Sequence, residues 1–588
     1  MGFFEINISD KSIDFFKSEF QNFFSFEEAN SIIQIKTGIF NFFNNQAEFE
    51  EIKSKVLYSS DIINEPDRAE YGDFQTNTEL AERTVNYLST KGLLPDIIIE
   101  PTCGKGNFIM AALQNFQTIK KIIGIEIYMP YIWESKFAIL DYFIITNKAA
   151  TVEIELYGSN VFEYDFKRIA DNNSEQEILI IGNPPWVTNS KLGSINSKNL
   201  PDKSNFKNHN GLDAMTGKGN FDIGESITLK MLKAFHNYKG AIAFLIKNSV
   251  IKNIIYDQKL HPLRISNIEK LSFESKKEFN ASVEASMFFC RFNSQPDYIC
   301  NEFDLYNNAI TFNSFGWITN KFVANISKYE QAKVIDATCP FEWRQGVKHD
   351  CSSIMEFERL NEHFINGRNE EIFLENDLVY GLLKSSDLKS KYINKSRKHT
   401  IITQMKIGQD TRYLKEQFPL TYKYLSANQE HFIRRKSSIY IDKPAFSIFG
   451  IGDYSFKPYK VAISGLYKNY SFNLILPQDG KPLMLDDTCY FISFDRLKFA
   501  VYSYILLNST LSTEFIKSIT FTDAKRTFTK EILMRIDLFK LATLISHTSL
   551  NDELVKINEE LSLSLTFDFW DEFLSSMQPV KSRQESFF

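Results

Sequence analysis

The stretch Ile178-Leu179-Ile180-Ile181-Gly182-Asn183-Pro184-Pro185-Trp186 decides how the rest of the chain is read. It opens on an uncharged apolar run, the pattern of a strand buried on both faces of a parallel sheet. The run stops at Asn183, and two prolines follow. Neither proline has an N–H, and each restricts the residue before it to extended geometry. The pattern predicts a strand ending in stiff backbone, with an amide and an aromatic ring at its carboxyl end, where open α/β sheets bind ligands. The Asn183 side-chain oxygen and the Pro184 carbonyl form a rigid acceptor pair for an amino group, and Trp186 offers a face for a flat ring. A Pro-rich strand exit without chemistry is the competing reading.

Working outward, an earlier strand, Ile97–Glu100, runs into Pro101-Thr102-Cys103-Gly104-Lys105-Gly106-Asn107-Phe108 and then a helix over 109–116. A strand, a loop with alternate glycines and a helix make the nucleotide-binding arrangement of a Rossmann-like sheet. The glycines permit close approach of a ligand. Glu100, at the strand end, suits a cationic or hydroxyl-bearing ligand rather than a phosphate. The next strand, 121–127, carries Glu126 about twenty residues past the glycines, where such folds place a carboxylate on ribose hydroxyls. A third strand, 152–157, leads to Gly158-Ser159-Asn160-Val161. Beyond the opening stretch, a helix over Ile223–Phe235 and strands at 241–247, 265–273 and Ala285–Phe292 continue the alternation. The last of these follows Phe279-Asn280-Ala281-Ser282. The expected class is α/β, a mostly parallel doubly wound sheet.

Ahead of the sheet, a helical pattern over 78–88 has Asn77 or Thr78 as N-cap. Residues 1–60, with Phe15, Phe16, Phe20, Phe23 and Phe24 at helical spacing, predict a helical extension packed on the body. Between Trp186 and Asp222 lies an aperiodic segment whose Lys191, Lys198, Lys203 and Lys207 suit either a phosphate-contacting loop or a floppy insertion.

A chain of 588 residues accommodates two to four domains by the usual size relation. Its 54 Phe and 26 Tyr reflect base composition as much as physics. Six cysteines without paired spacing point to a reducing compartment and no zinc site. Without a leader pattern or a bilayer-length apolar run, a cytoplasmic location is expected. A net charge of −6 excludes a uniformly basic nucleic-acid binder. Between Lys384 and Lys460, however, sixteen Lys/Arg face six Asp/Glu, interleaved with aromatics.

Taken in order, Glu100-Pro101-x-x-Gly104-x-Gly106-x-Phe108, Glu126 and Asn183-Pro184-Pro185-Trp186 resemble the S-adenosylmethionine-dependent DNA N6-adenine methyltransferases. The likeness is to the branch whose cofactor motif precedes the catalytic motif and whose target-recognition domain is C-terminal. Gly72 to Asn77 resembles the family's cofactor-contacting segment, although the usual aromatic-Thr-Pro ending reads Gln75-Thr76-Asn77 here. The resemblance implies catalysis by Asn183, Pro184, Pro185 and Trp186. It implies cofactor contacts by Thr76, Glu100, Pro101, Thr102, Gly104, Gly106, Glu126, Ile127, Asn160 and Val161, and no metal. Asn160 aligns best with the family's acidic acceptor for the cofactor's adenine amine, with Asp165 as the rival. Trp186 and Phe279 would take the two faces of a flipped adenine.

Trp343-Arg344-Gln345-Gly346-Val347-Lys348, Tyr380-Gly381-Leu382-Leu383-Lys384 and Thr522-Asp523-Ala524-Lys525-Arg526 are similar to stretches in specificity halves of restriction-associated methyltransferases. The implied layout is an extension (1–60), a catalytic domain (61–330) and a mixed α/β target-recognition domain (331–588) with a helical tail from Leu550. Within the last, Ser447 to Tyr454 reads as a strand and turn. Arg434, Arg435, Lys436, Lys457 and Lys460 are the expected phosphate contacts. The implied partners are double-stranded DNA, bound by a monomer, and a separate cognate endonuclease. Three readings compete: a single chain that also cuts DNA, a methyltransferase acting on RNA or protein, and a DNA-binding module without catalysis.

Overall fold

The structure, a computed structural model, describes residues 9–19, 23–58, 75–187, 222–281, 283–307, 311–360, 363–522 and 526–578. Tyr71 to Phe74, the segment with Lys191, Lys198, Lys203 and Lys207, Ser282, and Asp523 to Lys525 lie outside the described residues. The chain divides into two compact units, Met1–Phe322 and Val323–Phe588. The division falls a few residues before the expected boundary at 330.

In the first unit, α1 (Asp10–Glu19), α2 (Phe26–Thr37) and α3 (Gln46–Tyr58) precede the sheet. They do not form a separate body. Phe16, Phe42, Phe43 and Phe49 share one buried cluster with Trp133 and Phe137. The buried Lys136 donates from Nζ to the carbonyls of Asn41 and Phe42, and lies 4.6 Å from the Trp133 ring centroid. Ile39 pairs in parallel with Ile154, so this segment covers part of an otherwise open sheet edge.

After α4 (Thr78–Thr90) come β1 (Ile97–Glu100), α5 (Asn107–Asn115), β2 (Lys121–Glu126), α6 (Met129–Thr146), β3 (Glu153–Gly158), α7 (Phe166–Asn172) and β4 (Ile178–Gly182). Then follow α8 (Ile223–Phe235), β5 (Gly240–Lys247), α9 (Asn248–Asp257), β6 (Ile265–Ser272), α10 (Ser275–Phe279) and β7 (Ala285–Phe292). Every residue of β1 and β4 is buried, as their uninterrupted apolar runs require. Strands β3, β2, β1, β4 and β5 are parallel neighbours in that order. Strand β7 is antiparallel to both β5 and β6. Three further strands, β8 (Ile299–Asp304), β9 (Asn313–Ile318) and β10 (Lys321–Val323), extend the sheet beyond β6 to ten strands. This is a Rossmann-like α/β sheet. Its chain moves outward from β1 through β2 and β3, then returns to β4 on the other side of β1. The carboxyl ends of β1 and β4 flank the point where strand order reverses, the place at which such sheets bind ligands.

The second unit is mixed α/β, with a five-stranded and a six-stranded sheet. Trp343 is fully buried, and Arg344–Gln345 pairs with the strand Cys489–Phe494. The strand expected over Ser447 to Tyr454 is not formed. Phe449 makes a single bridge to Lys348, and a helical turn, Asp453–Phe456, follows. The end of the described chain is helical, in His547–Leu561 and Trp570–Ser576.

Candidate active site at the switch point

Strand β1 delivers Glu100 into the crevice almost wholly buried. Its Oε2 has no hydrogen-bond partner among the described residues. Burial raises its carboxyl well above the usual carboxylate range, and the negative Glu126 nearby adds to this, against a smaller pull from the Ile109 N–H.

The following loop turns on Gly104 and Gly106, whose φ values of +50° and +81° favour glycine. A Cβ on Gly104 would lie 2.6 Å from Gln75 Oε1, and one on Gly106 would lie 2.8 Å from Ser135 Oγ. The closest approach these glycines permit is therefore to the chain's own side chains. Ser135, from α6, donates to the Gly104 carbonyl at 2.9 Å. Glu126, at the end of β2, accepts from the Gly104 N–H at 2.9 Å and from the Tyr128 N–H at 2.8 Å. The carboxylate expected to bind a ligand thus also braces the glycine loop. Of the remaining expected contacts, Thr102 is half-buried, Pro101 and Val161 are buried, and Ile127 is exposed.

Strand β4 places Asn183 beside this loop. A Cβ on Gly182 would stand 3.4 Å from Glu100 Cγ. Asn183 Nδ2 donates to Thr76 Oγ1 at 3.2 Å. Thr76 is buried, and its carbonyl accepts from Asn107 Nδ2 at 2.6 Å. On either side of it, Gln75 Oε1 accepts from the Lys105 N–H at 3.2 Å, and Asn77 Nδ2 donates to Glu278 Oε2 at 2.8 Å. Asn77 also caps α4, accepting from the Leu80 N–H at 2.8 Å. Three consecutive residues thus join the glycine loop, the end of β4 and the turn that carries Phe279.

Trp186 and Phe279 do not flank an open slot. Their rings meet edge to face, with centroids 4.9 Å apart and planes inclined by 70°. Trp186 is only 6% exposed, and its Nε1 donates to the Leu245 carbonyl at 3.1 Å. Trp186 is the anchored ring, whereas Phe279 is partly exposed at the end of a five-residue helix.

Some contributors to the site carried no sequence signal. The buried Asp222, just before α8, pairs with Lys247 at the end of β5. A Cβ on Gly224 would lie 3.2 Å from the Pro185 carbonyl and 3.8 Å from that of Pro184. Asn160 Oδ1 accepts from the Phe162 N–H at 3.0 Å in the turn after β3. Its rival Asp165 caps α7, accepting from the Arg168 N–H at 3.1 Å.

The expected phosphate contacts of the second unit divide sharply. Lys460 is fully buried in the strand Tyr459–Ser464 and donates to the Lys457 carbonyl at 2.8 Å. Burial lowers its ammonium to about 7. It is not a phosphate contact in this fold. Arg435 is half-buried, lies 3.6 Å from the Tyr440 ring centroid and donates to the Ser447 carbonyl at 2.7 Å, which makes it a loop brace. Arg434 and Lys436 are exposed, and Lys457 pairs with Asp495 at 2.8 Å. Among the described residues no cluster could hold a metal ion, the six cysteines are unpaired, and no helix is long and apolar enough to cross a membrane.

An α/β sheet with a buried carboxyl, a glycine loop and an amide-bearing strand exit at one switch point has the layout of the Rossmann-like methyltransferase class. The chain is 40% identical to the type II methyltransferase M.NspV of Nostoc sp. (strain ATCC 29411 / PCC 7524) over 486 residues, covering 82% of this chain and 99% of the relative. It belongs to the type II methyltransferases. No family model matches. Among solved structures, the type IIL restriction-modification enzyme MmeI in complex with DNA is similar at 12% identity and a TM-score of 0.49, over 85% of this chain and 75% of that one. The type IIG restriction endonuclease BpuSI is similar at 11% identity and a TM-score of 0.34, over 90% and 66%. Both likenesses are too distant to bear on function.

Proposed function

We propose that this type II methyltransferase is the modification enzyme of a restriction-modification system, and that it methylates N6 of an adenine flipped out of duplex DNA with S-adenosylmethionine as donor. The observation that carries the reading is the amide of Asn183 at the carboxyl end of β4, held by Thr76 beside Glu100 and the glycine loop.

The residues present fit the donor. When bound, S-adenosylmethionine supplies an electrophilic methyl group on a sulfonium. The unpaired carboxylate oxygen of Glu100 suits a cationic ligand, which would offset its burial. Glu126, which accepts from the Gly104 and Tyr128 N–H groups, is an acceptor of the kind that ribose hydroxyls require.

On the substrate side, Asn183 Oδ1 and the Pro184 carbonyl are the acceptors for the two amine hydrogens of the base. These bonds draw the nitrogen lone pair out of conjugation with the ring and strengthen as the nitrogen gains positive character. An amine inside a duplex is out of reach, so the base must leave the stack. Trp186, fixed by Leu245, is the platform. Phe279 is the ring that turns aside as the base enters, and it then covers the edge.

Exposed Arg434 and Lys436, in a segment with a strong positive balance, supply phosphate contacts, while neighbouring polar side chains read base edges. Digestion of methylated duplex to nucleosides, with mass spectrometry of the products, tests the reading. It requires N6-methyl-2′-deoxyadenosine, and methylated deoxycytidine would refute it.

A further inference from the structure

Lys230, on α8, reaches across to the turn after β3 and spends all three of its ammonium hydrogens there. Its Nζ donates to the carbonyls of Val161 at 2.9 Å, Phe162 at 2.6 Å and Tyr164 at 3.0 Å. An ammonium has three hydrogens, and here all three go to one turn. That turn carries Asn160, whose carbonyl accepts from the Glu163 N–H at 3.0 Å and whose Oδ1 accepts from the Phe162 N–H at 3.0 Å. The carbonyls of residues 161, 162 and 164 converge on one point, where a cation offsets their mutual repulsion, although that of Tyr164 also accepts from the Phe166 N–H at 3.2 Å. We propose that Lys230 is a positioning residue for the cofactor, fixing the turn so that Asn160 Oδ1 presents its second lone pair to the adenine amine.

The inference rests on the cofactor reading above, and it adds a physical link between the two halves of the site. Lys230 stands six residues after Gly224, roughly 9 Å along one helix. Gly224 lies against the Pro185 and Pro184 carbonyls. One rigid element therefore sets the distance between the turn that holds the cofactor's base and the loop that holds the target amine. No neutral side chain reaching from α8 satisfies three converging carbonyls, so the lysine charge itself is required.

The test compares S-adenosylhomocysteine with S-inosylhomocysteine, in which a carbonyl oxygen replaces the adenine amine, by calorimetry on the full-length protein. The parent should prefer the adenosyl compound by at least about tenfold. Lys230→Met should weaken adenosyl binding by about tenfold while leaving inosyl affinity within about twofold. Lys230→Arg, whose guanidinium can still donate to several carbonyls, should recover most of the loss. Faster hydrogen exchange at the Phe162 and Glu163 amides of Lys230→Met is the readout without ligand. Should Lys230→Met not fold, Lys230→Gln carries the same comparison, because its amide has donors for at most two of the carbonyls. Unchanged adenosyl affinity, or equal loss for both ligands, overturns the role of Lys230. An Asn160→Ala protein that keeps the parent's preference for the adenosyl compound instead defeats the assignment of Asn160 on which the proposal rests.

Discussion

Asn183 donates from Nδ2 to Thr76 Oγ1 at 3.2 Å across 107 positions of sequence. The bond joins the segment before α4 to the exit of β4. By engaging the nitrogen of the amide, it orients the side chain so that Oδ1 is the acceptor in the proposed reading. Thr76→Val keeps the shape and removes the acceptor. It should slow single-turnover methyl transfer about tenfold, the scale of one hydrogen bond, whereas Thr76→Ser should stay near the parent. Equal rates for the valine and serine variants would show that the bond does not orient the amide.

Glu100 sets a pH dependence. Its folded carboxyl titrates well above the ordinary range because it is buried, with Glu126 adding to the shift. A raised pKa means that the native apoprotein binds more protons than the unfolded chain over the interval between the two values. Apoprotein stability should therefore fall as pH rises from the ordinary Glu range through the raised value. A cation favours the ionised form, so cofactor binding should release a proton within that interval and tighten with rising pH. Calorimetry in buffers of different ionisation enthalpy measures the release, and Glu100→Gln should abolish it. Proton release that persists in Glu100→Gln would locate the titration elsewhere.

Glu126 braces the glycine loop and, in the proposed reading, holds the cofactor's ribose; one variant with two readouts separates these roles. Glu126→Ala loses the brace on the Gly104 and Tyr128 N–H groups together with any ligand contact. Cofactor affinity should drop by about 1.5–3 kcal/mol, the range for bonds to charged groups, and exchange at the Gly104 amide should accelerate even without ligand. Slow exchange at that amide in the variant would mean that the brace is dispensable.

Counting charges along the sequence could not tell exposed lysines from buried ones. Lys460 sits in the middle of a sheet, and above about pH 7 its native form is neutral while the unfolded form is protonated. The unfolded chain then binds more protons, so Lys460 makes stability rise with pH above that value. Lys460→Met should raise the midpoint of thermal unfolding at neutral pH, flatten that rise and leave DNA affinity unchanged. Replacing Arg434 and Lys436 by Ala should weaken DNA binding and reduce the salt slope by about one unit per lost phosphate contact. An unaltered slope would make that pair a solvated face.

The parts of the fold that were legible are those set by local patterns. Apolar runs bounded by Gly or Pro marked β1 and β4, and Asn77 stood at its cap position because capping is local. Strands β8 to β10 escaped notice because they are short and alternate polar and apolar residues weakly. In the stretch from Ser447 to Tyr454, Ile448 and Ile451 are apolar because they are buried, and burial without a ladder partner is not strand. In the site, the residue types of Glu100, Glu126 and Asn183 could be read from the motifs. The roles of Gln75, Ser135 and Lys230 could not, because each acts on a residue at least thirty positions away. The edge-to-face contact of Trp186 with Phe279 is likewise a product of tertiary packing.

Single-turnover transfer of labelled methyl to duplex DNA by Asn183→Ala, with cofactor and DNA binding measured on the same samples, tests the account most directly. An interaction that strengthens in the transition state raises turnover more than affinity. The account predicts a rate at least about 100-fold below the parent, with both ligands still bound. An Asn183→Ala enzyme that methylates adenine at close to the parent rate would contradict it.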